Sequence, residues 1–162
     1  LPDWRPGVDY RKTYSAQKEL GGGVSIDLIH EWDYLTYLFG LPNEVRCIIG
    51  RKSNLEVNCE DIAIYIGEYK ERTVELHLDY FGRQTIREIM LFTNHDTIVG
   101  DIVHNTIHFL KTGETLDFQE SRDDFQIREL EHFLDIISGN KINDSDINHA
   151  IKVLKLTQGE WM

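Results

Sequence analysis

Little cysteine, little proline and a shortage of positive charge mark this chain of 162 residues. Its 2 cysteines, Cys47 and Cys59, are too few and too unpatterned for a disulfide framework or a structural zinc site. Both fall in apolar or strand-like stretches and read as buried free thiols, which suits a reducing cytoplasm. Lysine and arginine total 17 against 28 aspartates and glutamates, a formal net charge of -11. Such a balance disfavours holding nucleic acid through its phosphates and is repelled by anionic lipid. No apolar run approaches the roughly 18 residues of a membrane-spanning helix, and the mean hydropathy is -0.38. The N-terminus lacks a signal-peptide pattern. It also lacks Met: Leu1-Pro2-Asp3-Trp4 reads as a piece of a longer chain, or else as a processed terminus.

What is present is an ordinary globular composition of about one domain's length, 41% hydrophobic and 28% charged. Residues 1–23 form an irregular arm containing Pro2 and Pro6 and ending in Gly21-Gly22-Gly23. Residues 24–40 read as one glycine-led helix, with Leu28, Trp32, Leu35 and Phe39 on an apolar stripe and Gly40 and Pro42 at its end. From 44 to 120 the period is two. Val45, Cys47 and Ile49 alternate with their neighbours, as do Ile62, Ile64 and Ile66. So do Val74, Leu76, Leu78 and Tyr80, and segments 86–92, 97–103, 106–110 and 115–119 follow. The connections are short, so the strands are antiparallel neighbours. Residues 123–158 supply two helices. Phe125, Leu130, Phe133, Leu134 and Ile137 mark the first, closed by Gly139-Asn140. Asp144-Ser145-Asp146 start the second, whose apolar residues are Ile147, Ala150, Ile151, Leu154 and Leu156. The predicted fold is one α+β domain, a mostly antiparallel open sheet covered on one face by helices.

Chemistry concentrates at Gly21–Tyr34. The glycines permit a sharp bend and close approach, and the helix start carries partial positive charge. Asp27 and His30, three apart, share a helix face with Tyr34, off the apolar stripe. A carboxylate beside an imidazole suits proton transfer. The alternative is a first-turn Asp answering the helix dipole beside a surface His.

The run Gly-Gly-Gly-Val-x-x-Asp, then His30 and Asp33-Tyr34-Leu35, resembles the start of the second domain of Gfo/Idh/MocA oxidoreductases. The resemblance continues through His77-Leu78-Asp79-Tyr80, Arg87 and residues 94–101 to residues 130–139 and 146–150, nearly the whole chain. It implies a C-terminal substrate and dimerisation domain, like that of glyceraldehyde-3-phosphate dehydrogenase. The family's preceding Rossmann domain, its Gly-x-Gly-x-x-Gly and its Glu-Lys-Pro motif are absent from this sequence. The implied function is therefore the substrate-binding and oligomerisation part of an NAD(P)-dependent enzyme. That enzyme would act at a CH–OH carbon of a sugar or sugar derivative, with NAD or NADP held mainly by the absent domain, and this chain would be inactive alone. By the resemblance His30 takes or returns the hydroxyl proton and Asp27 orients or polarises its neighbour. Family members commonly space the two four apart; here they are three apart. Tyr10, Arg11 and Lys12 of the arm, with Tyr34, become candidate substrate contacts, although Arg11 also reads as a plain surface charge. Tyr-Arg-Lys before the glycines and His-Glu before Asp-Tyr resemble related variants of the family and by that resemblance imply amino sugar or nonulosonic acid metabolism.

Three further features complete the reading. Asp101, His104 and His108 would gather a metal on a helix, but strand and turn separate them. His77 and Asp79 share a mixed face, with Tyr65 and Tyr69 placed beside them on a neighbouring strand. That face reads either as solvated or as the homo-oligomer interface that the resemblance implies. Trp4 and Trp161 at the two ends are candidates for packing on the missing domain. The rival functions are a non-catalytic dimerisation or ligand-binding module on the same scaffold, and a metal-dependent hydrolase.

Overall fold

The computed structural model describes residues 1–4 and 6–159. Trp161 lies outside them. The chain divides into two compact units, residues 1–83 with 145–162, and residues 84–144.

The first unit is built on a three-stranded antiparallel meander, β1 (Glu44–Gly50), β2 (Ile62–Glu68) and β3 (Thr73–Asp79). The register aligns Cys47 with Tyr65 and Leu76, and Ile49 with Ala63 and Leu78. Side chains alternate across a sheet, so these rows share one face. Ala63, Tyr65 and Leu78 on it are buried. Two helices, α2 (Ile29–Phe39) and α4 (Ile147–Thr157), pack on each other and bury Trp32, Leu35, Val153 and Leu156. Trp32 meets Tyr65 edge to face, with centroids 5.6 Å apart. Gly67 lies under the indole: a Cβ there would come within 3.2 Å of Trp32 Cη2. Burying such a ring is worth on the order of 3 kcal/mol.

Several expectations change. Residues 24–40 are two helices, α1 (Val24–Asp27) and α2, because Leu28 leaves helical geometry (φ -105°, ψ 26°) between them. The break separates two anchorages. Ser25 and Asp27 are tied to Glu60 and Tyr80, whereas Trp32 and Leu35 pack in the core. Tyr65 leaves the mixed face: it is fully buried, its hydroxyl donating to Thr157 O at 2.7 Å. Tyr69 instead donates to Gly40 O at 3.0 Å. On α4 it is Val153 that is buried, while Ile147 and Ile151 are exposed, because the buried stripe follows Val153, Leu156 and Thr157. Cys59 is buried, its thiol donating to Ser15 O, but Cys47 on edge strand β1 is exposed. Both are free thiols.

The arm is ordered as three single 3-10 turns, Tyr10–Lys12, Tyr14–Ala16 and Lys18–Leu20. It is stitched to residues 56–60. Asn58 N–H donates to Ala16 O, and Asn58 Oδ1 accepts from Lys18 N–H at 2.7 Å. Asp61, wholly buried, accepts from Lys52 and Ser53 and closes the loop between β1 and β2.

The second unit is a four-stranded antiparallel meander, β4 (Glu88–Phe92), β5 (Thr97–Asp101), β6 (Thr106–Phe109) and β7 (Thr115–Asp117), followed by α3 (Arg122–Ile137). Ser121 and Asp124 start α3: the Asp124 carboxylate accepts from the Ser121 N–H and hydroxyl. Gly139, at φ +75°, ends it. Asp101 Oδ2 pairs with His104 Nδ1 at 2.6 Å, while His108 meets the Thr106 and Thr115 hydroxyls. Among the described residues no three His, Cys, Asp or Glu side chains could hold a metal ion together. Nor is any described helix long and apolar enough to cross a membrane.

Candidate active site

The glycine turn is shaped by what presses on it. A Cβ on Gly22 would lie 2.2 Å from Tyr14 O and 2.7 Å from Ser15 O. Gly23 has φ +133°, and a Cβ there would strike the Glu60 carboxylate at 2.3 Å. Only glycine fits both positions. The turn is pinned to the loop just before β2: Val24 N–H donates to Glu60 O at 3.1 Å and Ser25 Oγ donates to Glu60 Oε1 at 2.5 Å.

Asp27 closes α1, half-buried. Tyr80, immediately after β3 and wholly buried, donates its hydroxyl to Asp27 Oδ2 at 2.8 Å. Burial first, then the hydrogen bond to Asp27 and that residue's charge, raise the Tyr80 phenol far above the ordinary tyrosine range. His30 lies in the first turn of α2. Its side chain is 49% exposed and its Nε2 is 3.1 Å from Oε1 of Glu31, whose side chain is 8% exposed. No hydrogen bond or ion pair joins Asp27 to His30 among the described residues, and the Leu28 break lies between them. Each has its own support instead. Tyr34 is half-buried on α2, one turn beyond His30.

The arm residues are placed differently. Arg11 donates to Asp9 at 2.8 Å and to Glu56 at 2.8 Å, which raises its already high pKa. Its guanidinium is thus engaged within the protein. Tyr10 is half-buried, its hydroxyl accepting from Glu56 N–H at 3.2 Å. Lys12 is exposed. Tyr80, Glu60 and Glu31 were not foreseen as site residues. The alternation that puts Tyr80 on the core-facing row with Leu78 was the available signal for the first; Glu60 and Glu31 had none.

The glycine turn does not fit a dinucleotide. Its space is filled by two backbone carbonyl oxygens and a carboxylate, all acceptors that would repel a pyrophosphate. The cradle an NAD(P) phosphate needs is therefore not made by this turn.

The oxidoreductase family's C-terminal alpha/beta domain matches residues 3–161. Among solved structures, UDP-N-acetylglucosamine 3-dehydrogenase from Acidithiobacillus ferrooxidans is similar at 22% identity and TM-score 0.69, over 84% of this chain and 46% of that one. An oxidoreductase from Thermotoga maritima matches at 16% identity and TM-score 0.76, over 96% and 47%. An oxidoreductase from Agrobacterium radiobacter, in complex with NAD+, L-tartaric acid and magnesium, matches at 18% and 0.71, over 94% and 50%. The chain thus spans about half the length of these structures. No curated protein matches it in sequence. A match over nearly all its residues, on the expected α+β architecture, shows that the chain belongs to the Gfo/Idh/MocA oxidoreductase family, whose C-terminal domain it represents.

Proposed function

We propose that this chain is the substrate-binding and oligomerisation part of an NAD(P)-dependent dehydrogenase acting on a CH–OH carbon of a sugar derivative, and that it is inactive alone. The observation that carries the reading is the pair of separately supported acid–base groups beyond the glycine turn, a half-buried Asp27 and an accessible His30. The Glu31 carboxylate lies 3.1 Å from His30 Nε2, and with that nitrogen facing the acid we assign the substrate's hydroxyl proton to Nδ1. Asp27 orients the neighbouring hydroxyl. A nicotinamide cofactor, when bound, would supply the hydride acceptor, and a Rossmann domain outside this chain would hold most of it; the misfit of the glycine turn to a pyrophosphate supports that division. Tyr34 lies on the same helix as His30 and is the next candidate substrate contact; Tyr10, Arg11 and Lys12 stay secondary, since Arg11 already serves Asp9 and Glu56. The likeness to a UDP-N-acetylglucosamine dehydrogenase supports an amino sugar derivative as substrate. A homo-oligomer would form on the outward face of the first sheet, where exposed Ile48 lies in a row with Ile64 and His77 and exposed Ile66 in the next row with Arg46 and Glu75. A reducing, cytoplasmic setting suits the two free thiols.

The test is His30→Ala in the full-length enzyme. Turnover should fall about 100-fold with KM little changed. Unaltered turnover removes His30 from the reaction.

A further inference from the structure

We infer that Tyr80 is a positioning residue for Asp27: its buried phenol commits one carboxylate oxygen and leaves the other for substrate. The inference rests on the proposed role of Asp27 in binding the reacting sugar. Tyr80 is wholly buried and packs edge-on against Trp4, with centroids 5.4 Å apart. It therefore cannot touch substrate and can act only through a neighbour. Its backbone is also held, because the Tyr80 N–H donates to Asp61 O at 2.9 Å.

A phenol has one proton to give. Here it goes to Asp27 Oδ2 at 2.8 Å. One hydroxyl thus joins the residue after β3 to the last residue of α1. Asp27 Oδ1 makes no hydrogen bond among the described residues. The carboxylate is held in one rotation, with one oxygen occupied and one open. Without the phenol, the short α1 would leave Asp27 free to turn, and the loss would be felt in the oriented complex rather than in binding. Burial and the charge of Asp27 keep the phenol protonated, so the donor persists across the working pH range.

The experiment is a double-mutant cycle in the full-length enzyme with Tyr80→Phe and Asp27→Asn, read as kcat, KM and melting temperature. Tyr80→Phe keeps the ring. It should lower kcat about tenfold, the effect of one hydrogen bond to a charged group, with KM within about twofold. In the Asp27→Asn background it should change kcat no further. Full kcat in Tyr80→Phe beside a slow Asp27→Asn overturns the Tyr80 inference alone. So do losses that multiply. Full kcat in Asp27→Asn instead removes the catalytic reading of Asp27 on which it rests. Should Tyr80→Phe not fold, tyrosine 13Cζ spectra of the wild-type and Asp27→Asn enzymes decide. One wild-type resonance should stay protonated well past the ordinary phenol pKa of about 10 and titrate earlier in Asp27→Asn. Identical titrations of every tyrosine overturn the inference.

Discussion

Asp61→Asn should destabilise the first unit more than any surface change, and its cost can be worked from the geometry. The Asp61 side chain is wholly buried at the base of the 51–60 loop. Oδ1 accepts from Lys52 N–H at 2.7 Å. Oδ2 accepts from Ser53 N–H at 3.0 Å and from the Ser53 hydroxyl at 2.6 Å. Asparagine keeps an acceptor on one side and turns an NH2 towards donors on the other. One charge-assisted bond is lost, about 1.5–3 kcal/mol, and at least one half-buried N–H is left without its acceptor, about 1 kcal/mol. A net loss of about 3 kcal/mol corresponds to roughly 6–12 °C in melting temperature for a chain of this length. The pH dependence has a definite sign. Burial alone would raise the Asp61 pKa, but the hydrogen bonds from Ser53 and Lys52, with the charge of Arg51, outweigh it and hold the group below its usual 3.8. A carboxylate depressed in the folded state contributes stability that is present above its unfolded pKa and lost as pH falls through the folded value. The gap between wild type and Asp61→Asn should therefore be constant from pH 8 to about pH 5 and narrow below about pH 4. Urea unfolding followed by tryptophan fluorescence across that range measures it. Equal urea midpoints at pH 7, or a gap that does not narrow in acid, would refute the reasoning.

Gly22→Ala places a methyl 2.2 Å from a backbone carbonyl of the arm. It should cost about 2 kcal/mol or more, and a melting temperature within a degree of wild type would show that the arm does not press on the turn. Ile64→Lys puts a charge in the middle of the outward Ile48–Ile64–His77 row. If that face joins subunits, sedimentation should shift to the monomer without a loss of melting temperature; an unchanged sedimentation coefficient counts against the proposed interface.

The strands were legible because their signal is local. Period-two alternation and hairpin-length connections placed the seven strands of the described residues to within two or three residues. Which face would be buried was harder. β2 reads Ile-Ala-Ile-Tyr-Ile-Gly, and hydrophobicity alone favours the isoleucines as core. The structure buries Ala63, Tyr65 and Gly67 instead. Small residues let Trp32 lie close against the sheet, and Tyr65 finds an acceptor at the end of α4. That choice depends on helices distant in sequence, which alternation does not encode. The Leu28 break was hidden for the same reason. Val24 to Phe39 has a continuous helical pattern, and only the ties of Ser25 and Asp27 to residues 35 and 53 positions away reveal two anchorages.

In the sequence Asp27 and His30 stand three apart, a spacing that on one continuous helix makes them neighbours. In the structure neither supports the other. Asp27 is oriented by Tyr80 and His30 is paired with Glu31, both drawn from the buried part of the unit. The three-residue interval is then not a constraint on the chemistry. With Leu28 between α1 and α2, the separation of the two groups is set by where β3 holds Tyr80 and where the core holds α2. A relative with a four-residue interval could present the same two groups by changing the break alone. On the proposed chemistry, the requirement is a rigid donor behind the carboxylate and a fixed acid beside the imidazole. Tyr80 and Glu31 meet it, and they belong to the core pattern rather than to any active-site motif.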